Sequence, residues 1–351
     1  MIRAAFASTA ITAGFCLFVL LVVLVPVALL YPEPGEVLSR FLLGPFEKTR
    51  YMGNIVELAT PSMLTALAVV LMFRCGAFNL GVEGSFFLGG LTTAAMVLWM
   101  PLPPLVGIPL ALLAGAIVGS LVCGIPGILK ATTGASELVS SLMLNYAAVF
   151  IGLFVLNYYL RDPTAAMLSS DRFPAEYRFE SLIPRTRIHI GSIVAVVACI
   201  IGAIYLNRTS QGLEVRISGT GNDFSRHLGL NSVALNIRIQ VIGGMIAAFA
   251  GGIEMLGLYS RFTWQNTTGN GWTGVIVAII ARDNPILIIP AALFIGYLQV
   301  GGDLVSRAFG VPTEIVSLIQ ALVMICVTSV AIFQHPALRK FVQGNRGEAA
   351  Q

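Results

Sequence analysis

The sequence predicts an all-α, polytopic membrane protein of about ten transmembrane helices, and two observations carry that prediction. Of its 351 residues, 56% are hydrophobic and only 11% are charged, whereas soluble domains carry about 25% charged residues. The chain also contains repeated apolar runs, several of them near the roughly 20 residues that a helix needs to cross a hydrocarbon core of about 30 Å. No segment has the composition of a soluble catalytic domain.

The apolar runs divide the chain into spans of one transmembrane domain, residues 1–351. The first run is longer than the ~7–15-residue apolar core of a signal peptide, so we predict that it is a membrane helix. Two segments, 85–100 and 273–281, are short for a crossing. The predicted spans lie near residues 10–31, 55–73, 85–100, 104–125, 138–160, 190–206, 237–259, 273–281, 285–302 and 314–333, and the polar breaks at 32–54, 161–189, 207–236, 260–272 and 303–313.

The first unusual stretch is RCGAFNLGVEGSFFLGG, residues 74–90, which lies between two apolar runs. Its glycines either interrupt helical hydrogen bonding or allow close packing. Broken backbone at membrane depth survives only where protein buries it or water reaches it. If the segment is helical, Asn79 and Glu83 share one face. An intramembrane carboxylate is costly, which makes Glu83 a functional-site candidate; the alternative is that it caps or braces a loop near the membrane boundary that Arg74 marks.

A second interruption lies at TTGNGWTGVIVAII, residues 267–280, where three glycines precede a half-length apolar run. Paired, glycine-broken short segments in the two halves of a transporter indicate a central pathway. The sequence therefore predicts short or broken segments near 74–90 and 269–281.

Further polar residues lie inside apolar runs. Glu137, Ser141 and Asn145 are spaced four apart and fall on one helical stripe. Interhelical hydrogen bonding explains such a stripe as well as a solute pathway does. Glu57 and Glu254 also lie within apolar runs, and Glu254 needs a partner.

Small residues four apart predict tightly packed helices, with a subunit interface as a second use. These are Gly115 and Gly119, then Gly244, Ala248 and Gly252. In lipid there is little hydrophobic force between helices, so close backbone contact takes its place.

Several function classes find no support. The five cysteines lie in or beside apolar runs, without metal-ligand spacing, and are predicted to pack as small apolar side chains. The three histidines are scattered, so no metal site is predicted. No H-E-x-x-H, G-x-S-x-G or P-loop motif occurs, and nothing indicates nucleic-acid binding. We therefore predict no enzyme activity and no cofactor in this chain, and any ATP and Mg would be bound by another subunit.

The longest polar stretch on the predicted cytoplasmic side is residues 207–236. Within it, GTGNDFSRHLGL reads as a short helix in which glycines come first, Asn222 or Asp223 is the N-cap and Gly229 follows the end. Such a helix is suited to docking a soluble partner; the alternative is a solvated loop.

These segments together carry a family resemblance. The chain resembles the permease subunits of bacterial ABC importers of the branched-chain amino acid, ribose and simple-sugar group, above all those of nucleoside systems served by basic-membrane-protein-type lipoproteins. The resemblance rests on FRCGAFNLGVEGSFFLGG, the segments 125–163 and 212–236, and GNGWTGVIVAIIARDNP. It implies ATP-driven import of nucleosides or related simple sugars across the bacterial inner membrane, with substrate specificity supplied largely by the lipoprotein.

The resemblance also implies partners and roles. The partners would be a cytoplasmic ATP-binding subunit, a second, related permease, an extracytoplasmic substrate-binding lipoprotein and the lipid bilayer. The basic C-terminal tail favours the cytoplasm, and ten crossings carry the N-terminus to the same side. Residues 207–236 would be the cytoplasmic coupling loop. The residues expected to couple to the ATPase are Gly219, Gly221, Asn222, Asp223, Arg226, Leu228 and Gly229, and those expected along the translocation path are Phe78, Asn79, Glu83, Asn145 and Trp272.

The chain departs from the family pattern at three places. Ser85 replaces a common Gln, Ser136 a common Asn, and Ile217-Ser218 a common Arg-Ala pair. A competing hypothesis is an ion-gradient-driven secondary transporter of a small polar solute, with Glu83 or Glu254 as the titrating group.

Overall fold

The computed structural model describes residues 34–310, except 101, 222–224 and 226, together with residue 321. Within these residues the fold is all-α, as predicted, with one isolated β-bridge between Arg161 and Ser170. Seven of the helices in the described part of the chain are long and apolar enough to cross a membrane. In chain order the helices are α1 (Pro34–Glu47), α2 (Thr49–Arg74), α3 (Val82–Trp99), α4 (Pro104–Thr133), α5 (Glu137–Val155, extended by a π-helical turn at Leu156–Leu160), α6 (Ile190–Arg208), α7 (Ser210–Thr220), α8 (Ser232–Leu258), α9 (Asn270–Ile280) and α10 (Pro285–Phe309).

Eight predicted spans coincide with α2 to α6 and α8 to α10. The predicted spans 10–31 and 314–333 lie outside the described residues, apart from residue 321. Two helices, α1 and α7, occupy segments that the sequence predicted as polar breaks. At 14 and 11 residues and 1.5 Å rise per residue, both are too short to cross a bilayer, so a search for membrane-length apolar runs passes over them.

The chain divides into two units, residues 1–55 with 295–351 and residues 56–294. In the first unit α1 packs on the C-terminal part of α10. Tyr297 donates its hydroxyl to the Leu42 carbonyl at 2.9 Å. A Cβ added to Gly301 would lie 2.7 Å from the Phe41 carbonyl oxygen, so glycine at this position permits the close approach of the two helices.

The core of the second unit is the contact of α3 with α4 and α8, and glycines let these backbones approach closely. A Cβ added to Gly115 on α4 would lie 2.8 Å from the Gly89 carbonyl oxygen on α3. A Cβ added to Gly244 on α8 would lie 3.0 Å from the Gly119 carbonyl oxygen on α4. The predicted small-residue faces are thus used inside this chain, as close packing in lipid requires.

The outer helices carry large apolar side chains on their exposed faces. The exposed residues include Leu113, Ile117 and Leu121 on α4, Met143, Phe150 and Phe154 on α5, and Ile193, Val197 and Ile201 on α6. Contiguous apolar surface of this extent is unusual for a soluble monomer and is what helices facing lipid present.

The long segment between α5 and α6 packs on the far end of α8. Backbone hydrogen bonds join this segment to α8 and to the residues that follow α8. The Ser170 amide donates to the Phe262 carbonyl at 3.0 Å, and the Phe179 amide donates to the Leu256 carbonyl at 3.0 Å. Arg261 and Asp162 form an ion pair at 3.3 Å. The hydroxyl and amide of Thr164 hold the pKa of Asp162 below its ordinary value, and the Arg261 charge acts in the same direction. This segment therefore covers the C-terminal end of α8 in an ordered conformation.

The cysteines of the described residues match their predicted packing role. Cys75, Cys123 and Cys199 are buried and free. Cys16 and Cys326 lie outside the described residues.

Candidate functional site

The first helix break lies between α2 and α3, where residues 75–81 leave the helical conformation. Gly76 has φ +78°, a left-handed conformation that glycine adopts without strain. Asn79 lies in this non-helical segment and Glu83 in the first turn of α3. The condition under which the two would share one helical face is therefore not met, because the backbone is not helical at Asn79.

Side chains from α5 satisfy the exposed backbone of this break. Asn145 donates its amide to the Leu80 carbonyl at 2.9 Å and accepts from the Gly84 amide at 2.9 Å. The Ser141 hydroxyl accepts from the Leu80 amide at 3.1 Å. Backbone groups at membrane depth need such partners because no water replaces them. The predicted stripe of polar residues on α5 thus forms interhelical hydrogen bonds.

The second break precedes α9, an 11-residue helix of about 16 Å, roughly half the thickness of a hydrocarbon core. Gly269 precedes it with φ +81°. The Glu83 carboxylate accepts hydrogen bonds from the amides of Gly269 and Gly271, both at 2.7 Å, and from the Thr268 hydroxyl at 3.1 Å.

Glu83 therefore joins the two breaks that the sequence pairs. Its side chain is buried, and its charge faces the positive, N-terminal end of the α9 dipole, where a carboxylate is stabilised. Glu83 thus caps the half-length helix α9 and not a loop at the membrane boundary, and its place along a translocation path stays a prediction.

A second carboxylate also reaches the start of α9. Both oxygens of Glu254, on α8, accept from the Asn270 side-chain amide at 3.2 and 3.1 Å. This is the partner that Glu254 was expected to need. Asn270 was missed in the sequence, although its position directly after a glycine and before an apolar run marks it as a helix start.

Beside Asn270 lies a cavity of about 30 Å³, room for one or two water molecules but not for a sugar. Arg187 pairs with Glu57 at 3.4 Å. Burial lowers the pKa of His189 below its ordinary value, because an apolar environment disfavours the imidazolium. The cavity is lined by Glu57, Leu58, Thr60, Pro61, His189, Ala250, Ile253, Glu254, Leu258 and Asn270.

A buried polar network lies on the other side of the first break. Asn79 donates to the Gln240 side-chain oxygen at 2.6 Å and to the Cys123 carbonyl at 2.7 Å, and it accepts from the Gly81 amide at 2.8 Å. Gln240 donates to Glu137 at 2.8 Å, and Glu137 pairs with Lys130 at 2.9 Å. Gln240 was missed in the sequence; the available signal was a glutamine inside a predicted span.

The five residues expected along a translocation path fall into two groups. Asn79, Glu83 and Asn145 are buried, and their polar groups bond within the chain. Phe78 and Trp272 are exposed, at 62% and 43%. The two aromatic side chains are thus exposed, and the three polar residues hold the backbone around the breaks.

The predicted coupling segment, residues 219–229, begins against the start of the first break, where α2 ends. Gly219 packs on the Arg74 carbonyl and on Gly76, a contact that leaves no room for a Cβ. Arg74 donates to the Asp283 carbonyl at 2.8 Å, just beyond the end of α9. Burial raises the pKa of the Asp283 carboxyl, and the Arg74 charge offsets part of that rise. The ends of α2, α7 and α9 therefore meet.

The details of the segment differ from the prediction in one respect. Gly219 lies inside α7, not ahead of a helix, because Thr209 caps a helical turn ten residues earlier by accepting from the Gly212 amide at 3.0 Å. Gly221 follows the end of α7. Leu228 is 53% exposed, and Gly229 has φ +78°, as a glycine after a helix end should. Asn222, Asp223 and Arg226 lie outside the described residues.

The chain is similar to several permease proteins. It is 31% identical over 291 residues to the guanosine ABC transporter permease protein NupP of Bacillus subtilis (strain 168), covering 82% of this chain and 83% of that one. It is 31% identical to the glucose ABC transporter permease protein TsgB13 of Haloferax volcanii, covering 80% and 77%. It is 29% identical to the nucleoside ABC transporter permease protein NupB of Lactococcus lactis subsp. cremoris, covering 78% of each.

A solved structure shares the fold. PsaBC from Streptococcus pneumoniae in complex with Fab superposes with a TM-score of 0.50 at 11% sequence identity, covering 88% of this chain and 99% of that chain. The family described as the permease component of branched-chain amino acid transport systems matches residues 51–328. That match takes in both helix breaks, the predicted coupling segment and the polar network, and the chain belongs to this family of multi-pass ABC transporter permeases.

Proposed function

We propose that this chain is one permease half of an ATP-driven importer for nucleosides or related simple sugars. A separate cytoplasmic subunit would bind and hydrolyse ATP, a second, related permease would complete the channel, and an extracytoplasmic lipoprotein would deliver the solute. The similarity to guanosine, nucleoside and glucose permease proteins supports this class of substrate. The chain would lie in the bacterial cytoplasmic membrane with both termini in the cytoplasm.

The observation that carries the proposal is the contact of α7 with the start of the first helix break. Gly219 rests on Arg74 and Gly76, and Leu228, a few residues further on, is exposed. An exposed apolar residue that follows a short helix is suited to a groove on a partner. Movement of this segment would act directly on the backbone at Gly76, which leads to the break and to Glu83.

The solute would pass beside the two breaks. Phe78 and Trp272 would contact it, because aromatic faces pack against the rings of nucleosides and sugars. Asn79, Glu83 and Asn145 would shape the wall by fixing the backbone that presents those aromatic residues. A neutral, hydroxyl-rich solute fits a pathway whose buried carboxylates are already held by backbone amides and side-chain donors.

Reconstitution in vesicles tests the function. The chain is incorporated alone, or together with its ATPase and second permease. Uptake of guanosine, ribose and glucose is then measured with the lipoprotein outside the vesicles and ATP inside them. We expect uptake only in the complete complex with ATP. Uptake by the chain alone under a proton gradient would refute the proposal in favour of a secondary transporter.

The docking role is tested at Leu228. Leu228→Asp should separate ATP hydrolysis from uptake, because a carboxylate in an apolar groove loses its hydration without a partner. Leu182→Asp is the matched control: Leu182 is similarly exposed, at 50% against 53%, but lies in the segment between α5 and α6. Normal coupling in Leu228→Asp, or equal losses in both variants, would show that Leu228 does not dock.

A further inference from the structure

Gln240 is the fully buried centre of the polar network beside the first break. It lies on α8, the helix that begins at Ser232 just after the predicted coupling segment. Eight residues along a helix span about 12 Å. Its side chain reaches the 75–81 segment through Asn79 and α5 through Glu137, and it also donates to Asn236 on its own helix.

The direction of every bond in this network follows from one charge. The Glu137 carboxylate, paired with Lys130, accepts only, so the NH₂ group of Gln240 must face it. The Gln240 oxygen then faces Asn79, whose NH₂ group donates to it and to the Cys123 carbonyl. The Asn79 oxygen is left to accept from the Gly81 amide. The arrangement therefore has a single consistent orientation.

The neighbouring helix is shaped to admit this side chain. A Cβ added to Gly127 on α4 would lie 2.8 Å from the Gln240 nitrogen, so a larger residue would displace the amide. Replacing buried polar groups by apolar residues of similar volume is often neutral or stabilising. Stability alone therefore does not account for an oriented network at this place.

We propose that Gln240 is a positioning residue that transmits movement of α8 to the helix break, so that displacement of the coupling segment reaches Glu83 and α9. The chain of contacts runs from α8 through Gln240 to Asn79, and four residues later to Glu83, which caps α9. The inference rests on the proposed function, since the moving force is the ATPase.

The test uses the complete complex of this chain with its ATPase, second permease and lipoprotein in vesicles, and measures uptake per ATP hydrolysed. Gln240→Leu removes the bonds while keeping the volume. We expect ATP hydrolysis to persist while uptake per ATP falls about tenfold or more, within the usual range of coupling between sites. An unchanged ratio overturns the proposal, and so does a parallel loss of both activities, which marks a merely structural role.

A charge exchange supplies the rescue. Gln240→Glu places two carboxylates against each other and should uncouple the complex. Adding Glu137→Gln restores a complementary pair, because the new amide donates to the new carboxylate and its oxygen can accept from Lys130. We expect the double variant to recover much of the uptake per ATP. A double variant no better coupled than Gln240→Glu contradicts the proposal.

Labelling separates this inference from the choice of substrate. Phe78→Cys places a thiol on the exposed part of the break, and its reaction with a membrane-impermeant maleimide is followed with and without ATP, with no solute added. The same complex without the added cysteine sets the background. The ATP-dependent change should be present with Gln240 and absent with Gln240→Leu, even if the transported solute is neither nucleoside nor sugar. A change that persists in Gln240→Leu overturns the relay.

Discussion

Removal of the Glu83 carboxylate should destabilise the start of α9 more than any other single polar substitution at the two breaks. Glu83→Ala leaves the buried amide of Gly271 and the part-buried amide of Gly269, now bonded at 2.7 Å, without acceptors. An unsatisfied buried donor costs about 1–3 kcal/mol, so the Gly271 amide alone costs roughly that much, and the part-buried Gly269 amide adds a smaller amount. Against a total stability of about 5–15 kcal/mol, that is a large loss. Glu83→Gln keeps one acceptor oxygen and should cost less.

The loss should be local as well as global. Thermal stability in detergent, measured by size exclusion after heating, should fall in the order wild type, Glu83→Gln, Glu83→Ala. Hydrogen exchange should show the amides at 269–273 deprotected, with α6 unchanged. Glu254→Ala is the matched control, since it removes a part-buried carboxylate that bonds the Asn270 side chain and leaves both capped amides in place. If the amides at 269–273 exchange at wild-type rates in Glu83→Ala, the capping argument fails.

Two further predictions concern stability. Burial lowers the pKa of His189 below 6.5; the folded chain therefore resists protonation, and its stability should fall as the pH drops below about 6.5. His189→Asn keeps an acceptor for the amide of Gly191 but should lose this fall in stability when the melting temperature is measured against pH. If the melting temperature of the variant falls with pH as steeply as that of the wild type, the prediction is wrong. Gly244→Leu should lower the free energy of unfolding by about 1–3 kcal/mol through overpacking, because a Cβ at this position would lie 3.0 Å from the Gly119 carbonyl oxygen. Gly35→Ala, where an added Cβ would have no atom within 4 Å, should leave the free energy of unfolding unchanged.

The sequence predicted the features that repeat along a helix. Apolar runs located the membrane-length helices, and small residues four apart located the faces on which α3, α4 and α8 pack. The spacing of Glu137, Ser141 and Asn145 gave a stripe that is buried as one. These features depend on neighbours within a turn or two, which is the range over which the helical repeat carries information.

What the sequence did not reveal depends on residues far apart in the chain. Glu83 and Gly271 are 188 positions apart, and Asn79 and Gln240 are 161 apart, so neither pairing has a local signature. The helices α1 and α7 were missed for a different reason. Both are short, and a search for runs of membrane length finds only helices that span the bilayer.

The sequence located the polar residues at the breaks because polar groups are costly inside a membrane, but the bonds that they make in the structure differ from those that this cost suggests. A carboxylate or an amide within a membrane span is costly, which suggests a solute or an ion as its partner. Here the partner of Glu83 and Asn145 is the backbone itself, since a helix that stops at membrane depth leaves amides and carbonyls that only protein can satisfy. Because those bonds are directional and few, they hold the break in one arrangement, and under the proposed function they would be exchanged for others as the channel alternates between two openings. Under the proposed function the buried polar residues would determine how the break moves, and contact with the solute would fall to the exposed rings of Phe78 and Trp272.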